Sequence, residues 1–120
     1  IDAYFPLAKG ANPSEKALIK GWKPWIDKLS DFSSKHQKPI LFTEIGYRSC
    51  DFSTEKPWET NYDLPDNEAL QHKAYKVFFD EVWGQEWLAG AYLWKWFSLP
   101  PREGKYRDKF AFQNKKSNCA

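Results

Sequence analysis

Lys38-Pro39-Ile40-Leu41-Phe42-Thr43-Glu44-Ile45-Gly46-Tyr47-Arg48-Ser49 is a short apolar run that ends on a carboxylate and then a glycine. It reads as a β-strand over 39–45, and strand alternation sets Ile40, Phe42 and Glu44 on one face with Leu41, Thr43 and Ile45 on the other. Glu44 thereby extends a buried face. In α/β proteins with parallel strands, the C-terminal strand ends and the loops after them form the active-site rim. A carboxylate at this tip is therefore a candidate for chemistry, and a salt-bridged or solvated strand-end Glu is the plain alternative.

Working upstream, Trp22, Trp25, Ile26, Leu29 and Phe32 recur at helical spacing and make one face apolar. Pro24 is compatible with a helix only in its first turn, so the spacing predicts a short helical piece over 14–20 and a main helix over 23–35. Earlier still, Ile1-Asp2-Ala3-Tyr4-Phe5 reads as a strand stopped by Pro6. Downstream, Tyr47 to Pro65 is a long polar loop punctuated by prolines, and loops of that length are usually functional or disordered. Asp66 or Asn67 then caps a second helix with the stripe Leu70, Ala74, Val77, Phe78 and Val82, and Gly84 is placed to end it. Gly90 to Phe97 reads as a third strand closed by Pro100-Pro101.

Strand, helix, strand, helix, strand implies an α/β fold with parallel strands and right-handed crossovers. Three such strands leave two bare edges, an uncomfortable state for a free monomer. The chain opens inside a strand-like run and stops soon after Phe110-Ala111-Phe112, where another helix could begin. Both ends read as cut, and a part of a larger α/β domain is expected.

Composition narrows the function classes. The chain has 120 residues, enough for one core, and its 42% hydrophobic and 28% charged residues suit a globular protein. No apolar run approaches the ~20 residues that span a bilayer, so no membrane partner is expected. With 18 basic against 16 acidic residues the charge is too balanced to attract nucleic acid, and Lys115-Lys116 reads as solvated surface. The anomaly is aromatic: 7 Trp, 6 Tyr and 9 Phe are more than a small core needs. Such rings suit a cleft for sugars, since indole and phenol pack on apolar C–H faces while their polar tips hydrogen-bond; they equally suit a large core. Glycine-rich phosphate loops, zinc clusters and calcium loops are absent from the sequence, so no cofactor or metal is implied. Cys50 and Cys119 have no metal-ligand spacing and leave both a disulfide and two thiols open. His36 and His72 read as surface residues.

Tyr4-Phe5-Pro6-Leu7, the run from Lys38 to Ser49, Pro57-Trp58, Gln71 with Ala74-Tyr75, and Gly90-Ala91-Tyr92-Leu93-Trp94-Lys95-Trp96 together resemble the C-terminal part of clan A glycoside hydrolases. The likeness is to family 113 β-mannanases and related glycosidase-like barrel domains. It covers nearly the whole chain, and Phe42 to Ser49 is its most specific element. The resemblance implies a (β/α)8 TIM barrel, of which these strands would be the sixth, seventh and eighth, so that residues 1–120 would form a partial barrel domain.

It also implies site residues. Glu44 matches the nucleophile of a retaining mechanism, and Tyr4 the tyrosine that hydrogen-bonds that nucleophile. Trp94 and Trp96 share the phase of the tryptophan that floors the subsite at the scissile sugar, and register leaves both open. Arg48 and Tyr47 follow on the rim; the guanidinium either binds sugar hydroxyls or tethers a loop. Trp58 either stacks on a sugar further along the cleft or anchors its loop. The acid/base carboxyl of the family follows the fourth strand, outside this chain, and none of Glu55, Glu59, Asp63, Glu103 or Asp108 sits in a matching motif. The implied activity is hydrolysis of β-linked polysaccharide such as β-1,4-mannan, with the isolated chain inactive. Its implied partners are the polysaccharide or oligosaccharide substrate and either the missing N-terminal part of the barrel or a second copy. The alternative is a non-catalytic carbohydrate-binding or assembly module on a barrel-derived scaffold.

Overall fold

The computed structural model describes residues 1–61, 63–96 and 109–111. Phe97, Pro100, Pro101, Glu103, Asp108, Phe112, Lys115, Lys116 and Cys119, which entered the sequence reading, lie outside the described residues. Helix α1 spans Glu15–His36. Ser14 caps it, its Oγ accepting the Ala17 N–H at 3.1 Å, and Glu15 complements the positive end of the helix dipole. At the other end Gln37 adopts a left-handed conformation (φ 51°), which frees the chain to turn toward the sheet.

The expected break at Pro24 does not occur, and α1 is one helix. The carbonyl left without a donor by Pro24 belongs to Lys20, and both residues are on the exposed side, where water can satisfy it. Leu18, Trp22 and Leu29 are buried on either side of the proline, so tertiary packing carries the helix across it. Gly21 lies on the same face, where a Cβ would overlap the carbonyl of Leu7. Gly21→Ala should therefore destabilise the fold by about 1–3 kcal/mol through overpacking. Helix propensity alone predicts a gain of up to about 1 kcal/mol, so the sign of the shift in a urea unfolding midpoint decides between the two.

Strand β1 is Ile40–Ile45 and strand β2 is Leu88–Leu93, paired in parallel. On the other edge of β1, Asp2 forms a parallel bridge with Glu44, secured by Thr43 N–H to Ile1 O (2.8 Å) and Ala3 N–H to Glu44 O (2.6 Å). The alternation expected along β1 fails after Phe42. Phe42 pairs with Ala91 and Ile45 with Leu93, three steps on one strand against two on the other, so β1 carries an extra residue at Thr43–Glu44. Ile45 thus joins Ile40 and Phe42 in the core, and Glu44 is displaced from that face and left half-buried.

Helix α2, Glu68–Val77, is capped by Asn67 and runs into a π-helical turn over Phe78–Val82. The Asn67 Oδ1 accepts the Leu70 N–H at 2.9 Å, and Leu70, Ala74, Val77, Phe78 and Val82 are all buried, as their spacing predicts. Their core partners include Trp22 and Phe42, whose ring centroids each lie 6.3 Å from that of Phe78. The opposite face of the sheet leaves Leu41, Thr43 and Tyr92 exposed. Strand β2 starts earlier and ends sooner than the expected Gly90–Phe97 run. Trp94 N–H makes a last bond to Ile45 O (2.7 Å), but its carbonyl accepts from the Tyr75 hydroxyl (3.2 Å), and the chain turns there through a cis Trp94–Lys95 peptide. Among the described residues no helix is long and apolar enough to cross a membrane.

Candidate active site

Glu44 sits at the C-terminal end of β1, where the bulge turns it away from the helix-covered core. The Tyr4 hydroxyl donates to its Oε2 at 2.8 Å, joining residues 40 positions apart in sequence. Burial raises the Tyr4 phenol well above its usual range, and the bond to the Glu44 carboxylate, with the nearby charges of Glu44 and Asp2, raises it further. Tyr4 is therefore a protonated donor throughout the neutral range. Beside this pair, Thr43 Oγ1 donates to Asp2 Oδ1 at 2.7 Å and ties the two strand segments together through their side chains.

Trp94 stands at the neighbouring strand tip and is 40% exposed. Its backbone is held from three sides: Ile45 O accepts its N–H, Tyr75 donates to its carbonyl, and Gly46 lies so close that a Cβ would collide with that carbonyl. The Lys95 ammonium lies 5.5 Å from the Trp94 ring centroid, within cation–π range. Trp96 is past the turn and 66% exposed. The end of β2 thus separates two tryptophans that strand phase alone treats alike.

Tyr47 and Arg48 are not on the open rim. Both are fully buried, which removes them from direct contact with a sugar in this structure. Tyr47 packs edge-on to Tyr75, ring centroids 5.6 Å apart, and burial pushes its phenol well above the usual range. The Arg48 guanidinium takes the loop-tethering option, donating to Asn61 O (2.6 Å) and Lys56 O (3.3 Å). Its long apolar stem fits burial while the planar fork reaches backbone acceptors. Trp58, in that loop, is 54% exposed and so is no buried anchor. The loop base is zipped shut by Asp51 N–H to Pro65 O and Asn67 N–H to Ser49 O, 2.9 and 2.8 Å.

Two residues to which the sequence assigns no role support the site. Gln71 is fully buried and donates to Tyr47 O at 2.8 Å and Lys109 O at 3.3 Å, while Tyr75 supports Trp94 from behind. The available signal was a polar side chain within an apolar helical stripe, since such groups are buried only with partners. Among the described residues no group of three or more His, Cys, Asp or Glu side chains is placed to hold a metal ion. His36 is exposed and His72 half-buried. Cys50 is buried, and burial raises its thiol above the usual range.

Parallel strands, helices on one face and a carboxylate at the tip of β1 define a mixed α/β unit; the strand expected over residues 1–5 is reduced to the single bridge at Asp2. The chain belongs to glycoside hydrolase family 113, whose sequence profile matches residues 2–116. The structure resembles that of the family 113 β-mannanase AaManA from Alicyclobacillus acidocaldarius in complex with ManMIm. That likeness has a TM-score of 0.67 and 26% identity and covers 91% of this chain and 31% of the other. It also resembles a family 113 β-1,4-mannanase solved as a complex, with a TM-score of 0.60 and 24% identity over 72% of this chain and 26% of the other, a likeness that speaks to fold alone. The chain spans under a third of the length of these solved relatives. No curated protein sequence matches it.

Proposed function

We propose that the chain is the nucleophile-bearing portion, strands six to eight with their helices, of a retaining glycoside hydrolase barrel that cleaves β-1,4-mannan. The observation that carries this reading is the Tyr4–Glu44 hydrogen bond at a strand tip of a family 113 chain. Glu44 attacks the anomeric carbon while an acid on another part of the barrel, about 5–5.5 Å away, protonates the departing oxygen. Water, deprotonated by that same group, then displaces Glu44 from the glycosyl-enzyme. Tyr4 holds the carboxylate in attacking geometry. Trp94 floors the scissile subsite, and Trp96 and Trp58 extend the sugar-binding surface. Arg48 and Tyr47 serve the rim from beneath it.

Residues 1–120 are on this reading a partial barrel domain, and its sheet edges meet either the preceding strands or a second copy. The substrate is the remaining partner; neither cofactor nor nucleic acid nor membrane enters the reaction. The protein carrying this chain should hydrolyse β-1,4-mannan with the β-anomer formed first by NMR, and the purified 120-residue chain alone should show no turnover. An α-anomer formed first rejects the retaining mechanism, and turnover by the isolated chain rejects the need for an outside acid. The exposure of Tyr92, Trp94 and Trp96 favours one other reading, a non-catalytic carbohydrate-binding module. That reading predicts oligosaccharide affinity that falls on Trp94→Ala or Trp96→Ala and is indifferent to Glu44→Gln.

A further inference from the structure

The loop after β1 displays one tryptophan and buries the group that holds it. Lys56-Pro57-Trp58-Glu59 is a β-turn: the Glu59 N–H bonds Lys56 O at 3.1 Å, with proline at the second position, where its fixed φ suits the turn. Trp58 is the third residue, while Pro57 beside it is buried. No ring or hydrogen-bond partner holds the Trp58 side chain among the described residues. The Arg48 fork grips carbonyls on both sides of it, Lys56 O and Asn61 O, so one guanidinium brackets the displayed residue. Arg48 is fully buried with no carboxylate partner among the described residues, and its Nε has no acceptor there. A buried cation satisfied only by carbonyls is a costly way to tie an ordinary loop.

We infer that Arg48 is a positioning residue that presents Trp58 as a separate stacking platform for a β-1,4-linked hexopyranose chain, beyond the sugar at Glu44. The chemistry follows from the loop's place: it leaves the C-terminal tip of β1, the end that carries Glu44, so an indole exposed on that loop belongs to the same rim as the carboxylate. A flat indole binds the C–H face of a pyranose without reading each hydroxyl, which suits a subsite for chain length. The inference rests on the glycoside hydrolase reading and extends it to a specificity determinant.

The test is binding of β-1,4-linked mannohexaose and mannobiose to the Glu44→Gln form of the protein carrying this chain, in which the ligand persists, followed by intrinsic fluorescence and calorimetry. Trp58→Ala should weaken hexaose binding about tenfold, the scale of one well-packed aromatic contact. Trp58→Phe should recover most of the loss. Arg48→Lys, which keeps the charge but not the fork, should lose more affinity for hexaose than for biose and speed amide exchange at Glu59. The Trp58→Ala/Arg48→Lys double variant should be no weaker than Trp58→Ala by more than about twofold, because both changes remove one contact. Trp58→Ala with unaltered hexaose affinity overturns the inference, whatever becomes of Arg48→Lys. Hexaose affinity indifferent to Trp58 in a protein that still turns over mannan leaves the hydrolase reading standing and removes only this one. Trp58-dependent binding of cellohexaose but not mannohexaose supports the platform and removes mannan as substrate. Failure of every β-linked hexaose to bind overturns both.

Discussion

Glu44→Gln should reduce β-mannan hydrolysis by the protein carrying this chain by about four orders of magnitude, the scale expected when a nucleophile is lost. The amide has nearly the size and shape of the carboxyl, and its oxygen can still accept the Tyr4 hydroxyl that now lies 2.8 Å from Oε2. The loss should therefore fall on kcat with the melting temperature little changed. Activity within tenfold of the parent removes Glu44 from the chemistry. Stereochemistry supplies a sharper distinction. In Glu44→Ala, azide can enter the space left by the carboxyl and attack the anomeric carbon from that side, giving an α-glycosyl azide from a β-linked substrate. A carboxyl that worked as acid/base would instead leave a glycosyl-enzyme, and azide would yield the β-product.

Tyr4→Phe tests the same site from the donor side. The ring remains, but the carboxylate loses the bond that fixes its rotamer, and a loss of roughly 10–100-fold in kcat is expected from misorientation. Because burial and the Glu44 carboxylate both raise the Tyr4 phenol, the hydroxyl does not titrate in the neutral range. The parent's activity at neutral pH should therefore carry no inflection from Tyr4.

Legibility in the sequence followed how local each feature is. The stripe Leu70, Ala74, Val77, Phe78 and Val82 is a property of one helix, and period alone finds it. The bulge at Thr43–Glu44 is a property of a pair of strands, and nothing in the alternation of β1 announces it. Pro24 reads as a helix break because the rule against helical proline ignores which carbonyl is orphaned and whether water reaches it. Tyr47 and Arg48 read as rim residues because they follow Glu44 in the matched run, yet the loop that folds over them takes the Arg48 guanidinium as donor to its carbonyls and the Tyr47 ring packs against Tyr75. The end of β2 depends on Tyr75 from another element, so strand phase could not choose between Trp94 and Trp96. As for the Tyr4–Glu44 pair, no spacing rule joins residues so far apart, and only the family resemblance brought them together.

Phe42→Ala should cost about 3–5 kcal/mol, the range for deleting a buried aromatic ring without collapse of the space it leaves. Phe42 is fully buried, and its ring centroid lies 6.2 Å from Phe5, 6.3 Å from Phe78 and 6.2 Å from Trp87. Those partners come from the N-terminal segment, the π-helical turn and the approach to β2, so the cavity would open where three elements converge and none can move in alone. Phe42→Leu retains much of the volume and should cost distinctly less. Urea unfolding measures both, and a cost below about 1 kcal/mol for the alanine variant shows that the site relaxes and that Phe42 does not join these elements. Position makes the variant informative about function as well. Phe42 is the last residue of β1 before the bulge that turns Glu44 out of the core, and its pairing with Ala91 fixes where that bulge begins. A loosened Phe42 frees the register just ahead of the carboxylate, so Phe42→Ala should lower kcat even at temperatures where it remains folded. Phe42→Leu, which keeps the register, should lower stability with a smaller change in kcat.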